Sequence, residues 1–159
     1  VLGPLTNPAG AQAQILGVYD HGLIEPLARV LNNLGSQHVF VVHGNDGLDE
    51  ITTTDKTFIA ELKDGQVHTF TIEPEDFGIP RANISDLSGG TPEENAQIAL
   101  NILKGEKGHK RDIILLNSAC AIIAGGRASN WAEGIQMAAV SIDSGKAMEK
   151  LDLLRESSR

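Results

Sequence analysis

Between residues 39 and 42 the chain reads Val-Phe-Val-Val, an unbroken apolar, mostly β-branched run that ends on turn residues. Such a run predicts a strand buried on both faces, the kind found inside a parallel sheet. Residues 14–19 form a shorter strand candidate, and Ile24, Leu27, Ala28, Leu31 and Leu34 then recur at helical spacing. Pro26 fits the first turn of a helix over 25–34, and Gly35 stops it. Strand, helix and buried strand make a βαβ unit, whose crossover is right-handed.

Farther along, 57–62 and 66–72 are β-rich and flank Asp64-Gly65, a strong hairpin signal. Residues 73–80 hold Pro74, Gly78 and Pro80 and read as a loop. Thr91-Pro92-Glu93-Glu94 joins a capping box to a proline at the first helical position, so a helix is expected over 92–104. Its inner face would be Ala96, Ala99, Ile102 and Leu103. Residues 112–124 are apolar almost all round and predict a helix buried in the middle of the fold. Trp131, Ile135, Ala138 and Ile142 stripe a helix over 130–144, and Ala147, Leu151 and Leu154 a last one over 146–155, with 156–159 frayed. Residues 1–10 carry two prolines and two glycines, an ordered turn rather than a long helix. The expected fold is α/β, with a mixed, mostly parallel sheet flanked by helices, all in one domain over 1–159.

Composition narrows the functional classes. The chain has 159 residues, 41% of them hydrophobic and 21% charged, ordinary values for a globular domain with a real core. A net charge of −8 and no Lys/Arg cluster argue against nucleic acid as a partner. No apolar run approaches membrane length, and the start does not resemble a signal peptide. Cys120 is the single cysteine, so no internal disulfide can form and a reducing cytoplasm is expected. The first residue is Val, not Met, and the opening residues are already apolar, so a fragment of a longer chain is expected.

The candidate chemistry gathers after residue 42, in His43-Gly44-Asn45-Asp46-Gly47-Leu48-Asp49-Glu50. Ligand sites of open α/β sheets lie just past the carboxyl ends of the strands, where this loop falls. In a turn loosened by Gly44 and Gly47, Asp49 and Glu50 could aim at one hard cation such as Mg²⁺. A solvated acidic loop is the competing reading, and the residues by themselves leave both open. Gly89-Gly90 ahead of the capped helix offers backbone amides to a phosphate, or else a hinge. His43 is expected to orient loop backbone, while Asn117, Ser118 and Cys120 read as core groups. No nucleophile or general base stands out, which fits a reaction run by positioning and electrostatics.

Four motifs carry a resemblance: Leu2-Gly3-Pro4-Leu5-Thr6-Asn7-Pro8, Val42-His43-Gly44 through Gly47-Leu48-Asp49-Glu50, Leu115-Leu116-Asn117-Ser118-Ala119 and Ser144-Gly145-Lys146-Ala147. In this order they resemble the C-terminal half of the anthranilate phosphoribosyltransferases. The resemblance implies the C-terminal portion of a nucleoside phosphorylase/phosphoribosyltransferase catalytic domain. It implies a homodimer that moves ribose 5-phosphate from phosphoribosyl pyrophosphate (PRPP) to the amine of anthranilate and releases pyrophosphate, in tryptophan biosynthesis. Asp49 and Glu50 match the pair that holds Mg²⁺ on the pyrophosphate. Asn7, Pro8, Ala9 and Gly10 match the segment lining the aromatic acceptor's way in. The family's glycine-rich pyrophosphate loop and its acceptor-binding arginine precede the first motif, so these 159 residues alone are expected to be inactive. A pyrimidine nucleoside phosphorylase-like enzyme, or a non-catalytic homologue that binds nucleic acid, are the alternatives. The Asp-Glu pair and the Leu2-to-Pro8 segment speak against the first, and the acidic charge against the second.

Overall fold

The computed structural model describes residues 2–158. Two of its strands, β1 (Ala13–Gly17) and β2 (His38–Gly44), are parallel and joined through the helix α2 (Ile24–Asn33), and a four-residue turn of helix, α1 (Leu2–Leu5), precedes them. β3 (Thr57–Lys63) and β4 (Gln66–Ile72) follow, giving the sheet order β1-β2-β3-β4. The helices α3 (Ile84–Leu87), α4 (Pro92–Leu103), α5 (His109–Ala124), α6 (Trp131–Asp143) and α7 (Lys146–Ser157) complete the chain. None of the described helices is long and apolar enough to cross a membrane.

β2 lies between two neighbours and is covered on both faces, as its apolar run predicts. On one side Val39 and Val41 meet Leu27, Ala28 and Leu31 of α2. On the other, Phe40 and Val42 meet Leu116, Cys120 and Ile123 of α5, with Trp131 and Ile135 of α6 at the margin. The period-2 alternation of a strand is what sends successive side chains into these two cores. A third cluster, Ile102, Leu115, Ala138 and Ile142, binds α4, α5 and α6 together.

The sheet is mixed but not mostly parallel: β1–β2 is parallel, whereas β2–β3 and β3–β4 are antiparallel. Connection length explains the difference. Asp64 and Gly65 turn with φ of 50° and 76°, a two-residue hairpin loop that joins only antiparallel strands. Residues 45–56 contain no crossover helix, so β3 returns alongside β2 in the opposite sense.

Several helix faces also differ from expectation. α5 begins three residues earlier than periodicity suggests, and Ile114 and Ala121 on its outer side are exposed, so it is a one-sided helix rather than one buried all round. In α4 Ala96 and Ala99 face solvent and Ile98 and Ile102 face inward, because the helix touches its neighbours along one narrow stripe. Leu34 lies at the end of α2, past the sheet, and is 59% exposed. α7 stays helical through Ser157, beyond the expected fraying point.

The early start of α5 places Arg111 inside, at 3% exposure. Its Nη2 donates to Asp143 Oδ2 at 3.0 Å, while Nη1 stands 2.8 Å from Oδ1 as a charge contact outside hydrogen-bond geometry. The Arg111 hydrogen bond, with help from Lys107, holds the Asp143 carboxyl below its ordinary 3.8. A depressed folded pKa contributes stability above the unfolded value, and that contribution is lost as pH falls through the folded value. Asp143→Asn should therefore lower the urea midpoint at pH 7, with a deficit that shrinks below about pH 4. A deficit of equal size across that range would show that the charge plays no part.

Candidate functional site

The carboxyl ends of β1 and β2 point the same way, and two contacts lock them together one residue past the ladder. Val18 N–H donates to Val42 O at 3.0 Å, and Val18 O accepts from His43 Nδ1 at 2.8 Å. A carbonyl only accepts, so His43 carries its proton on Nδ1. The ring lies parallel to Phe58 at 6.5 Å. The histidine thus orients backbone, as expected, but the backbone belongs to the β1 extension rather than to the acidic loop.

That loop leaves β2 at Gly44 and folds back at once: Gly44 N–H donates to Leu48 O at 2.8 Å and Gly47 N–H to Gly44 O at 2.9 Å. Gly47 has φ of 95°, where a side chain would be strained. The polar residues of the loop divide into two groups. Asn45 Nδ2 donates to Asp55 Oδ2 at 2.7 Å, and this bond is the main reason the Asp55 carboxyl sits below its ordinary range. Asp46 Oδ1 takes Leu48 N–H at 3.1 Å, and Oδ2 takes the hydroxyls of Thr52 (2.5 Å) and Thr54. These two side chains are spent on building the loop. Asp49 and Glu50 are exposed and have no hydrogen bond or ion pair to any described residue.

Their backbone is another matter. The Asp49 carbonyl oxygen packs so close to β1 that a Cβ on Gly17 would lie 1.6 Å from it. On the far side Asn117 of α5 receives Ile51 N–H on Oδ1 at 3.0 Å and donates from Nδ2 to Ile51 O at 2.7 Å. The pair is therefore held by its main chain while both carboxylates stay free. Three other carboxylates gather on one arginine: Arg81 binds Glu73 at 2.6 Å and Glu75 at 2.8 Å, and lies 3.4 Å from Asp55.

Of the N-terminal segment, Pro4 reaches the same end of the sheet. Pro4, Tyr19 and Asp49 share the wall of a hollow of about 260 Å³. Asn7 and Gly10 line a smaller one of about 80 Å³, and Pro4 borders both. Asn7 Oδ1 accepts from Ala9 N–H at 3.0 Å, making an Asx turn that leaves Asn7, Pro8, Ala9 and Gly10 exposed. With Gln12, Gln14, Leu34 and Ser36 around it, the expected acceptor segment lies at the amino ends of β1 and β2, whereas the acidic pair lies at their carboxyl ends, and the two share no cavity. The amides ahead of α4 are already taken, Gly90 N–H by Asn95 Oδ1 at 2.9 Å and Thr91 N–H by Glu94 Oε2 at 2.7 Å. Gly90 and Thr91 are thereby closed to a phosphate.

The sequence analysis passes over Gly17 and the threonines. A glycine inside a strand run is a known mark of close backbone approach, so Gly17 carries a signal. Asn117 is a satisfied core group, as expected, but nothing local names its partner, which is 66 residues away. Gly17→Ala should cost about 1–3 kcal/mol of stability through overpacking, and should speed amide exchange across 49–51. An unchanged urea midpoint with unchanged exchange would contradict the close contact.

Comparison with known proteins fits this geometry. Residues 1–148 match the model of the glycosyl transferase family, a/b domain. The anthranilate phosphoribosyltransferase of Symbiobacterium thermophilum is 54% identical over 156 residues, covering 98% of this chain and 46% of that protein. That of a Thermoanaerobacter species is 55% identical over 159 residues, covering 100% and 47%. Among solved structures, the Thermus thermophilus anthranilate phosphoribosyltransferase superposes with a TM-score of 0.85 at 39% identity, over 95% of this chain and 44% of that one. The Saccharomyces cerevisiae enzyme in complex with PRPP and Mg gives 0.85 at 34% identity, over 96% and 44%. The chain spans a little under half the length of these relatives. The parallel β1–β2 pair, the acidic loop at its end and a family match over nearly the whole sequence lead to one conclusion: the chain belongs to the glycosyl transferase family, within its a/b domain.

Proposed function

We propose that residues 1–159 are the C-terminal portion of the α/β domain of an anthranilate phosphoribosyltransferase, and that they present the metal to the donor. The observation that carries this reading is the pair of unpartnered carboxylates, Asp49 and Glu50, on a loop whose Asn45 and Asp46 side chains are already engaged. Among the described residues no set of three acidic or imidazole groups could cage an ion. A two-carboxylate site suits Mg²⁺, which keeps several waters and is completed by substrate phosphates. The names of the curated relatives support the choice of reaction.

In that reaction the bond from ribose C1 to the pyrophosphate oxygen breaks, and its electron pair leaves with pyrophosphate. A bond from C1 to the anthranilate nitrogen forms, and that nitrogen gives up a proton. Bound Mg²⁺ supplies charge neutralisation to the departing pyrophosphate. Asp49 and Glu50 would hold it, on a backbone fixed beside Gly17 and Asn117. Fixing that position in advance avoids reorganisation while charge develops. Asn7, Pro8, Ala9 and Gly10 would line the acceptor's way in, a role that rests on the family resemblance alone. No residue of this chain is assigned to the proton. We read the complete enzyme as a cytoplasmic homodimer, on the family resemblance and on the lone, buried Cys120 thiol.

In the full-length transferase, replacing Asp49 and Glu50 together with Ala should cut turnover at least tenfold, about 1.4 kcal/mol, and flatten its Mg²⁺ dependence. Unchanged metal dependence would remove the assignment. The 159 residues alone should not consume anthranilate measurably in a fluorescence assay with PRPP and Mg²⁺. Holding both substrates in reacting geometry is worth roughly 7–11 kcal/mol, and half a site forfeits most of it. Turnover by the isolated chain at the rate of a full-length enzyme would overturn this.

A further inference from the structure

The loop's fixation has a residue behind it that lies outside the site. Ile51 is fully buried directly after Glu50, so its N–H and C=O must find partners inside the protein. Asn117 supplies both from α5, at 3.0 and 2.7 Å. Its second amide proton goes to Ile113 O at 3.0 Å, one turn back on the same helix. With both protons and the oxygen engaged, the amide has one workable orientation, because flipping it would set NH₂ against N–H and oxygen against two carbonyls. The side chain is therefore pinned to its own helix while it clasps the loop in the manner of a strand.

We propose that Asn117 is the positioning residue of the metal pair. It fixes the backbone immediately after Asp49 and Glu50, opposite the Gly17 contact on the other side. The two supports act at different points: Gly17 sets how near the Asp49 carbonyl comes to β1, and Asn117 sets where the chain goes after Glu50. Between them the two carboxylates keep their side-chain freedom and lose their backbone freedom. Groups that orient ligands without touching the metal commonly change metal affinity about 10–100-fold. This inference rests on the functional reading above, since Asn117 acts only through the pair.

The test uses the full-length transferase with Asn117→Ala and Asn117→Asp. The aspartate keeps an acceptor for Ile51 N–H and turns a carboxylate oxygen toward the Ile51 and Ile113 carbonyls, so it serves if the alanine variant does not fold. Two readouts are taken: amide exchange over 49–53, and the Mg²⁺ concentration giving half-maximal rate. Exchange should accelerate and the Mg²⁺ requirement should rise about tenfold, with the KM for anthranilate unchanged. In a background already carrying Asp49→Ala and Glu50→Ala, the Asn117 variants should produce no further change in metal dependence. An unchanged Mg²⁺ requirement, or an equal loss in that background, would reduce Asn117 to a stabilising core amide and overturn the inference. If Asp49→Ala and Glu50→Ala leave metal dependence intact while Asn117→Ala alters it, the functional reading fails instead and takes this inference with it.

Discussion

Everything at this site depends on how closely the acidic loop is pressed against the end of β1. The Asp49 carbonyl occupies space that any side chain at residue 17 would need, so a glycine there is a condition for the loop's position. From that contact the rest follows. Asp46 must be turned inward, onto the Thr52 and Thr54 hydroxyls, for the chain to come back over the strand. Its neighbours Asp49 and Glu50 are then left outward with nothing to neutralise them. A short loop with three carboxylates would usually be a source of repulsion. Here one carboxylate is used as a hydrogen-bond hub and two are left free, the pair proposed above to hold a cation.

The sheet serves this arrangement by being parallel only where it must be. β1 and β2 end together because a helix returns the chain between them, and their last carbonyls are stitched by His43 and Val18. β3 and β4 contribute no second parallel crossover. They back the sheet with a hairpin whose inner residues, Ile59, Ala60 and Leu62, fill the cores under α2 and α5. α5 links the layers: Leu116 and Cys120 pack on the sheet, and Asn117 between them reaches the loop. Burial also pushes the Cys120 thiol far above its ordinary value, so it stays a neutral core group.

The elements are legible where local chemistry decides them. The β2 run, the α2 stripe, the Thr91 capping box and the Asp64-Gly65 turn each depend on residues a few positions apart. What cannot be read is what long-range contacts decide. Nothing nearby in sequence says that Asp46 rather than Asp49 will meet two threonines, or that Asn117 will serve a loop 66 residues away. The apolar run at 112–124 reads as buried all round because its small residues give no clear stripe, yet solvent reaches Ile114 and Ala121. The expectation of a mostly parallel sheet extends one βαβ unit too far, and the two-residue hairpin that forbids further parallel pairing is in plain view.

Asp49 and Glu50 are proposed as the cation's protein contact because Asp46, Asp55, Glu73 and Glu75 are all engaged. Paramagnetic broadening by Mn²⁺, substituted for Mg²⁺ in the PRPP-loaded full-length transferase, tests this assignment directly. Backbone amide signals should broaden most strongly at Asp49 and Glu50 and fade with distance from them. Broadening centred instead on Glu73, Glu75 and Asp55, the carboxylates gathered around Arg81, would contradict it.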